Sequence, residues 1–496
     1  MEFDIHIEKI GEVNDIFGFY KRLVSNMNLN KHVLLESASA NTKEPLFSFI
    51  AFDPDLMIEI KNDNVKIHNI STDRGERINE YIESGDSIKE PTNPLPFEDK
   101  VENKINALDI LSKLTPYSKL PFKELFPRNI FYGGYLGYIG YDVVAPWVGF
   151  KSDSKFPDVL MGLFTKVLVY SNASRALYLI DNSLDDYSRD KNIRYQLNLF
   201  KRNNDSGKKI LFPTDIDDID ESEFRSNTSQ YAYEEIVENI KEHIFAGDII
   251  QSVISRRLYT NSKLDPISIY EVLRFLNPSP YMFNINFEDI NIIGSSPEAL
   301  VTKNKDIIST VPIAGTRSRG KTSNEDLKFE KELLDDPKEC AEHIMLVDLA
   351  RNDIAKVSFP GSVDTYELMK IKKYQKVMHI VSKVKGKTPL DCYQVLKSIF
   401  PAGTLSGAPK LKAMEIIQKY ETENRGPYGG VVGYFSFNGD MDFAITIRTL
   451  FGSNSGYFAQ AGGGIVADSQ PYQEYLETYN KMYSILKSIK IAEVKQ

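Results

Sequence analysis

The sequence predicts an α+β protein, and three observations support this fold class. Segments that alternate apolar and polar residues, with turn-forming residues between them, dominate the chain before residue 203 and are typical of antiparallel hairpins. An amphipathic helix pattern follows near residue 230, and strand and helix patterns intermix beyond it. The length of 496 residues, with 42% hydrophobic and 11% aromatic residues, indicates a globular chain with a large core.

Charge and cysteine content exclude several classes of protein. The chain has 60 Lys and Arg residues against 69 Asp and Glu residues, a formal charge of -9, which gives no overall attraction to nucleic acid or anionic membrane. Cys340 and Cys392 belong to no metal-ligand spacing, which argues against a disulfide scaffold or structural zinc. The start, MEFDIHIEKI, alternates like a strand and lacks the features of a signal peptide. We therefore expect a cytoplasmic protein.

Local patterns divide the chain into three parts. The segments LMIEIKNDNVKIHNI and TKVLVYSNASRALYLI are hairpin patterns within residues 1–202. Residues 203–229 are polar, acidic and rich in turn formers, so they are predicted to be a linker or loop. The segment YEEIVENIKEHIFAGD then predicts a helix that Gly247 ends, within a second domain at 230–496.

One weak internal repeat joins the two halves. YGGYLGYIGYD at 132–142 and YGGVVGYFSFNGD at 428–440 share the pattern GGxxGY. Either a hairpin was duplicated, or Gly-Gly with Tyr recurs where strands approach closely.

A phosphate-binding loop pattern occurs at GTRSRGKT, residues 315–322. The acidic segment SNEDLKFEKELLDD follows it, which would place negative charge beside a bound phosphate. Asp348, which imitates the magnesium-binding residue of such proteins, is predicted to lie inside a helix and not at a strand end. A nucleotide-binding protein is therefore only a distant alternative.

Two pairs of carboxylates lie on predicted helices. In DDPKECAEHIMLVDLARND, Asp336 is predicted to cap the helix, so Glu339 is also a candidate for a capping box, whereas Glu342 has no capping role. In SQPYQEYLETYN, Glu474 and Glu477 lie three residues apart on a helix predicted to start at Ser469.

Four carboxylates that converge would repel one another unless they share a cation. Oxygen ligands without imidazole or thiolate favour magnesium. Two separate solvated acidic helix faces are the alternative that spacing leaves open.

Three further segments carry candidate binding groups. In AQAGGGIVADS, Gly462, Gly463 and Gly464 lie between a strand and the second acidic helix, where bare amides can face an anion or simply form a tight turn. DFAITIRTLF alternates as a strand and carries Arg448, for which a carboxylate partner is expected from the protein or from a ligand. QKVMHIVSKVKG is strand-like and carries His379, which by itself is more typical of a structural histidine.

Motifs along the second half carry a resemblance to a known family. They are, in chain order, GDIIQSVISRR at 247–257, NPSPYMF at 277–283, GSSPEAL at 294–300, PIAGTRSRG at 312–320, EHIMLVDLARND at 342–353, FPAGTLSGAPK at 400–410, RGPYGGVVGY at 425–434, AQAGGGIVADS at 459–469 and EYLETYNK. Together they resemble the chorismate-utilising enzymes, and among these the large subunits of anthranilate synthases. The resemblance implies a sandwich of two large, mostly antiparallel sheets with helices outside and the active site in a cleft.

The resemblance also implies an activity, the conversion of chorismate and ammonia to anthranilate and pyruvate in tryptophan biosynthesis. Chorismate carries two carboxylates, an enolpyruvyl ether and an allylic hydroxyl, so its enzyme must neutralise two anions and help an oxygen leave. Glu298 is implied as the general acid that protonates the departing hydroxyl, and His379 as the residue that assists the loss of pyruvate. Thr316 is implied to line the pocket.

The implied ligand-binding residues form two sets. Glu342 and Glu477 would hold magnesium on the ring carboxylate, with Glu339 and Glu474 as direct or water-mediated ligands. The second carboxylate or its surroundings would be held by Tyr428, Arg448, Lys481 and the amides of Gly462, Gly463 and Gly464.

Two positions separate the branches of this family. Ala314 lies where many aminodeoxychorismate synthases of folate biosynthesis have a nucleophilic lysine, so that alternative is disfavoured. Gln251, counted with the catalytic residues, lies where isochorismate and salicylate synthases have a lysine that activates water. A catalytically dead regulatory subunit is disfavoured because every expected charged residue is present.

Two partners follow from the resemblance. Neither cysteine resembles a glutaminase nucleophile, so a separate glutamine amidotransferase subunit, component II of the synthase, is expected to supply ammonia. LLES at 34–37 and NPSPYMF resemble the family's tryptophan feedback site, although a strand end and a Pro-rich turn would explain the same residues. The expected contacts to tryptophan are Glu36, Ser37, Pro280, Tyr281 and Met282.

Overall fold

The computed structural model describes residues 4–37, 47–62, 64–69, 107–114, 126, 130–183, 219–374 and 377–495. Most of the predicted linker, residues 203–218, lies outside this part of the chain. Its described end forms a 3₁₀ turn at Glu221–Glu223 and the short strand Arg225–Ser226.

The strands have the following bounds, in chain order: β1 Asp4–Glu12, β2 Lys31–Glu36, β3 Phe47–Phe52, β4 Leu56–Lys61, β5 Asn64–Asn69, β6 Gly134–Ile139, β7 Val159–Phe164, β8 Lys166–Ser171, β9 Ala176–Ser183, β10 Arg225–Ser226, β11 Gln251–Thr260, β12 Tyr281–Phe287, β13 Ile290–Ser296, β14 Ala299–Asn304, β15 Ile307–Thr310, β16 Ile313–Ser318, β17 Asp364–Lys373, β18 Val377–Lys387, β19 Gly407–Ala408, β20 Val431–Ser436, β21 Met441–Ile445, β22 Thr449–Ser453 and β23 Gly456–Ile465.

The α-helices have the following bounds: α1 Ile16–Met27, α2 Ala107–Lys113, α3 Ala145–Val148, α4 Gln230–Phe245, α5 Pro266–Leu276, α6 Ser323–Asp335, α7 Pro337–Lys356, α8 Cys392–Ile399, α9 Lys410–Tyr420 and α10 Pro471–Lys495. None of the helices in the described ranges is both long and apolar enough to cross a membrane.

The strands form two large sheets, and every pairing among the described residues is antiparallel. The first sheet has the order β1-β9-β8-β3-β2-β12-β13-β22-β23-β11-β10, with β19 on β11. The second has the order β16-β18-β15-β14-β21-β20-β6-β7-β4-β5, with β17 on β18. The two predicted hairpins are confirmed as β4–β5 and β8–β9.

Both sheets combine strands from the two predicted domains. In the first sheet β2 pairs with β12, with Met282 opposite Glu36, so the two segments of the expected feedback site are neighbours. In the second sheet β6 pairs with β20, with Gly137 opposite Gly433. The repeated GGxxGY segments are therefore adjacent central strands, which agrees with the close-approach interpretation of the repeat. The domain division itself stays a prediction.

The largest core lies between the sheets, with Ile285 and Phe451 from the first and Phe443 from the second. Helices α1, α5 and α10 cover the outer face of the first sheet, and α4 and α9 pack on β11 and β23. This is the expected sandwich with helices outside.

The helix predicted near residue 230 is confirmed as α4. Ser229 caps it by accepting a hydrogen bond from the Ala232 N–H, and Gly247, with a φ of +81°, follows its end. Tyr233, Val237 and Ile240 form its buried face.

Candidate active site

The first acidic helix, α7, begins as the sequence predicts. Asp336 accepts hydrogen bonds from the N–H groups of Lys338 (3.0 Å) and Glu339 (3.3 Å), and Pro337 occupies the first turn. Glu339 does not complete a capping box. Its Oε1 accepts a hydrogen bond of 3.0 Å from Nη1 of Arg317 on β16. A guanidinium is a stronger partner for a carboxylate than a backbone amide, so this contact turns Glu339 toward the sheet.

The second acidic helix, α10, begins at Pro471, two residues later than predicted. The Ser469 hydroxyl accepts a hydrogen bond from the Val466 N–H and donates to Oε1 of Glu474 at 2.7 Å, so it orients a carboxylate instead of starting the helix. Oε2 of Glu474 is buried and has no hydrogen-bond partner in the described part of the chain. A Cβ atom on Gly463 would come within 2.5 Å of this oxygen, so glycine there leaves room for the carboxylate in its present position.

The carboxylates of the two helices approach one another. Burial, followed by the charges of Glu339 and Glu477, raises the pKa of Glu342. Burial and the charge of Glu477 also raise the pKa of Glu474, although its bond to Ser469 opposes this. Helices α7 and α10 are far apart in sequence, so this interaction shows that the fold brings the two acidic faces near each other, although Glu342 and Glu477 are both solvent-exposed. A cation shared by the two faces stays a prediction.

The carboxylates do not form a closed metal cage. No three His, Cys, Asp or Glu side chains among the described residues are grouped so that they could hold a metal ion alone. Magnesium usually binds through one or two carboxylates, substrate oxygens and waters, so an open pair of glutamates still suits it. The repulsion between the helices and the unpartnered Oε2 of Glu474 are features that a cation would relieve.

Lys481 connects the acidic helix to the glycine strand. Its Nζ lies 2.6 Å from Oε1 of Glu477 and donates to the Gly462 carbonyl at 2.8 Å. The same charge lowers the pKa of Glu298, Glu342 and Glu474 against the effect of burial. Lys481 therefore lies within electrostatic reach of all three carboxyl groups.

Glu298 follows β13 in the SSPE turn, and Thr404 holds its side chain. The Thr404 hydroxyl donates to Oε1 of Glu298 at 3.0 Å. Burial raises the pKa of Glu298 from 4.5 to about 7, against the opposing effects of Thr404 and Lys481. A carboxyl group with this pKa is partly protonated at neutral pH, as a general acid must be. Thr404, in the FPAGTLSG segment, was missed by sequence reasoning because a threonine alone carries no signal of such a role.

The raised pKa of Glu298 makes a prediction about stability. A carboxyl group whose pKa is higher in the folded state contributes stability that is complete below the unfolded pKa and is lost as pH rises through the folded pKa. Between pH 4.5 and pH 7 the wild type should therefore lose up to about 3 kcal/mol relative to Glu298→Gln. Denaturant unfolding of both proteins at pH 5 and pH 8 measures this difference, and a pH-independent difference would contradict the raised pKa.

His379 lies on β18 as predicted, opposite Thr316 on β16. Its Nδ1 is 3.0 Å from both the Gly315 carbonyl and the Thr316 hydroxyl. A carbonyl oxygen can only accept, so Nδ1 carries the hydrogen and Nε2 has a free lone pair. Burial lowers the pKa of His379, as does the charge of Arg448 nearby, which favours this neutral form.

Gly315 is the residue that permits this contact. The pairing of β16 with β18 skips it, between Ala314 and Thr316, so it forms a bulge with a φ of +69°. A Cβ at Gly315 would lie 3.1 Å from Oε2 of Glu339, which places the bulge beside the first acidic helix. Gly315, the first glycine of the phosphate-loop pattern, therefore forms a β-bulge and not a phosphate-binding turn.

The nucleotide-binding alternative fails on the same segment. The N–H groups of Gly320 and Lys321 donate to the carboxylates of Asp326 (2.7 Å) and Glu325 (2.6 Å), so they are not free for phosphate. The sheet beside them is antiparallel, and Asp348 lies inside α7 as predicted.

Arg448 is placed differently from the prediction. DFAITIRTLF is not one strand but two, β21 in the second sheet and β22 in the first, and Arg448 lies in the link between them with a φ of +50°. The alternating pattern is the same in both sheets, so the sequence did not reveal the crossing. Among the described residues its guanidinium has no hydrogen bond or ion pair, and only the charges of Glu477 and Tyr428 oppose the effect of burial, which lowers its pKa.

The three glycines are also placed differently. Gly462, Gly463 and Gly464 are not in a turn but within β23, opposite Ser255, Ile254 and Val253 of β11. The prediction of a loop was wrong because three consecutive glycines usually break a strand. Here the Ile254 carbonyl lies 2.7 Å from where a Cβ of Gly462 would be, and Gly463 and Gly464 leave room for the side chains of Glu474 and Gln251.

Glycine backbone and two side chains meet at this strand. The Gly462 N–H bonds the hydroxyl of Tyr428, which is buried beside Arg448. A Cβ on Gly464 would come within 2.7 Å of Nε2 of Gln251, the first residue of β11. Tyr428 and Gln251 therefore lie against β23, the strand that Lys481 also contacts, and Arg448 lies beside Tyr428.

Comparison with known proteins identifies the family to which the chain belongs. A family model described as chorismate binding enzyme matches residues 88–487. The chain belongs to this family. Anthranilate synthase component 1 of Aquifex aeolicus (strain VF5) is 41% identical over 477 residues, which cover 94% of this chain and 90% of that protein.

Two solved structures share the fold. The crystal structure of anthranilate synthase component I from Streptococcus pneumoniae TIGR4 has a TM-score of 0.67 at 32% identity and covers 90% of this chain and 93% of that one. The menaquinone-specific isochorismate synthase of Escherichia coli has a TM-score of 0.64 at 15% identity, with 98% and 95% covered, which supports the fold alone.

This chorismate-binding enzyme also contains an interior cavity of about 450 Å³ between its sheets. Ser37, Pro280, Tyr281 and Met282 line it, as the feedback-site prediction expects. Glu36 borders it too, but its carboxylate is already engaged.

The partners of Glu36 lie on α5. Its carboxylate accepts hydrogen bonds from the Tyr270 hydroxyl (2.8 Å) and from Nε (2.6 Å) and Nη2 (2.8 Å) of Arg274. These three hydrogen bonds orient the carboxylate and leave acceptor capacity on Oε1, so a contact between Glu36 and a ligand ammonium stays a prediction.

Proposed function

We propose that this chain is the chorismate-binding large subunit of an anthranilate synthase, which converts chorismate and ammonia to anthranilate and pyruvate. The observation that carries the proposal is the convergence of three kinds of group around the Lys481–Glu477 ion pair. They are a proton donor, Glu298; the carboxylates of α7 and α10; and a half-buried cation without an ion-pair partner among the described residues, Arg448. This set matches a substrate with two carboxylates and a leaving hydroxyl.

The chain's own groups account for the proton transfers. Glu298 gives its proton to the ring hydroxyl, which leaves as water while ammonia adds to the conjugated system. His379, with Nδ1–H donated to Gly315, presents Nε2 to accept the ring proton whose loss aromatises the ring as pyruvate departs. Thr316 supports His379 from the same edge.

Two different sets of residues would bind the two carboxylates of the substrate. Arg448, Tyr428 and the backbone of Gly462, Gly463 and Gly464 would hold the pyruvyl carboxylate. Glu342 and Glu477, with Glu339 and Glu474 beside them, would hold a magnesium ion, which neutralises the ring carboxylate when it is bound.

The relatives named component 1 support a second component, which we propose is a glutamine amidotransferase that supplies ammonia. Free ammonia should replace it in vitro. The aminodeoxychorismate synthase alternative is not favoured, because the buried Ala314 offers no amine to attack the ring. A cytoplasmic location stays a prediction.

Purified chain, chorismate, magnesium and ammonium at alkaline pH test the function directly. We expect the fluorescent product anthranilate and an equal amount of pyruvate. A product without an aromatic ring, or no turnover when each component is saturating, would contradict the proposal.

The magnesium site has its own test, the substitution Glu342→Gln. Loss of one carboxylate charge should raise the magnesium concentration for half-maximal activity by about 10- to 100-fold, as it does when a metal site loses an interaction. Magnesium-dependent thermal stabilisation in the presence of chorismate should weaken in parallel. The control is Glu332→Gln on the exposed face of α6, and equal magnesium dependence of both variants would argue against the site.

The cavity supports feedback inhibition by tryptophan as a further part of this function. The cavity of about 450 Å³ is in the size range of small-molecule sites, and Ser37 and Pro280 to Met282 lie in its lining. We predict that Ser37→Arg fills this space and abolishes inhibition by tryptophan, while kcat without tryptophan changes by less than about threefold. Initial rates with and without tryptophan measure it, against Ser455→Arg in the exposed turn between β22 and β23. Full tryptophan sensitivity in Ser37→Arg would exclude this location.

A further inference from the structure

Tyr374 links the interior cavity to the histidine of the cleft. Its ring meets the His379 ring edge to face, with centroids 5.5 Å apart and planes at 64°. Tyr374 also lines the cavity, whereas His379 does not. The tyrosine ring therefore stands at the border between the two spaces.

The backbone of Tyr374 is held on two sides. Its N–H donates to the Val377 carbonyl at 2.8 Å, and its carbonyl accepts a hydrogen bond of 2.6 Å from Nη1 of Arg319. Arg319 is itself held by both carboxylate oxygens of Asp326 at 3.1 Å from its Nε. The ring thus projects from a fixed point at the end of β17.

The ring, and not the hydroxyl, makes the contact. Burial raises the pKa of Tyr374 to about 12, so the hydroxyl stays neutral. It forms no hydrogen bond with another side chain in the ranges that the structure describes. Phenylalanine can therefore replace the contact, whereas a side chain without a ring cannot.

Hydrogen bonds alone do not fix the orientation of the His379 ring, so a contact on the side that faces the cavity is needed. Gly315 and Thr316 fix only Nδ1, and hydrogen bonds at one nitrogen leave the ring plane free to tilt. Without the Tyr374 ring, the space of about 450 Å³ behind it would give the imidazole room to move.

We propose that Tyr374 is a positioning residue that holds the His379 imidazole from the cavity side, so that Nε2 keeps one orientation toward the cleft. This rests on the proposed function for its kinetic consequences. Misplacement of a reacting group by about an ångström costs up to roughly 100-fold in rate, so we expect Tyr374→Ala to lower kcat by about 10- to 100-fold. The KM for chorismate should change by less than about threefold, because Tyr374 contacts none of the proposed substrate-binding groups.

The kinetic experiment compares Tyr374→Ala, Tyr374→Leu and Tyr374→Phe with the wild type. Leucine keeps the buried apolar volume and so protects folding, but it lacks the ring. We expect Ala and Leu to accumulate the aminated intermediate that still carries the pyruvyl group, as His379→Ala should, and Phe to behave as the wild type. Tyr374→Ala should add no further loss in the His379→Ala background. The control is Tyr366→Ala, at an exposed tyrosine of β17, the strand that precedes Tyr374.

A substrate-free measurement separates this inference from the proposed function. The six histidines of the chain are isotopically labelled and their ring resonances are recorded by NMR. The chemical-shift contribution of the Tyr374 ring to His379 should disappear in Tyr374→Ala and Tyr374→Leu and remain in Tyr374→Phe. Wild-type kcat in Tyr374→Leu, equal losses in Phe and Ala, or unchanged His379 resonances in Ala would each overturn the positioning role. Failure of the wild type to form anthranilate would overturn the proposed function alone, and the resonances would still decide on Tyr374.

Discussion

Glu298→Gln is expected to lower kcat for ammonia-dependent anthranilate formation by about 10²- to 10⁴-fold, the usual contribution of a general acid. Glutamine has the same shape and can still accept the Thr404 hydrogen bond, but it has no proton to give to the leaving hydroxyl. Chorismate binding should change little, because the substitution removes no charge that faces a substrate carboxylate. Initial rates of anthranilate fluorescence at saturating magnesium and ammonium measure the effect.

The matched control is Glu415→Gln on the exposed face of α9, where the carboxylate only pairs with Lys412. It should keep the wild-type rate, since exposed ion pairs contribute little to stability. A Glu298→Gln variant within threefold of the wild type would show that another group supplies the proton.

Arg448→Met is expected to weaken chorismate binding and stabilise the folded protein at the same time. The half-buried guanidinium has no ion-pair partner in the described part of the chain, so it is available to a substrate carboxylate. Its loss should remove a contact worth about 2 to 4 kcal/mol, or roughly 30- to 1,000-fold in kcat/KM. Removal of an unpaired, half-buried cation should raise the free energy of unfolding by up to about 1 kcal/mol, since water still reaches part of the side chain. Steady-state kinetics and denaturant unfolding of the ligand-free protein measure the two effects.

Arg225→Met provides the control, since Arg225 is exposed and stacks on Tyr259. It should change neither kcat/KM nor the free energy of unfolding by a comparable amount. If Arg448→Met destabilises the ligand-free protein, the guanidinium has a structural role and the free-cation interpretation fails.

Arg448→Met is expected to weaken substrate binding but to stabilise the free protein because several groups of the site lack a partner until a ligand binds. Glu298 is held partly protonated, Glu474 keeps an unpartnered oxygen, and Arg448 has a left-handed backbone and no counter-ion. Each feature costs stability in the free protein, and each is relieved by a proton, a cation or an anion that the proposed reaction supplies.

Several features followed from local chemistry and were predicted from the sequence. Asp336 before Pro337 was predicted to cap a helix, because a capping side chain acts within three residues. The hairpin patterns and α4 were found in the same way, since side-chain periodicity is a local property. The motifs of the second half indicated the family, and the comparisons confirm it.

Other features depended on residues far apart in the chain. The sequence assigned Arg448 to one strand, Gly462 to a turn and Glu339 to a possible capping box, and the structure differs in each case. Each error has the same origin. A period-two pattern does not state which sheet a strand joins, and a carboxylate takes its strongest partner wherever the fold provides one.

The sequence by itself determined the fold class, the helix caps and the chemical types of the site residues, because these depend on interactions between near neighbours. Only the tertiary structure decided that Glu342 and Glu477 approach each other, that Thr404 holds Glu298 and that Tyr374 packs on His379. Those contacts arise when two sheets close on a common core, and pairings of that kind are set by the packing of the whole chain.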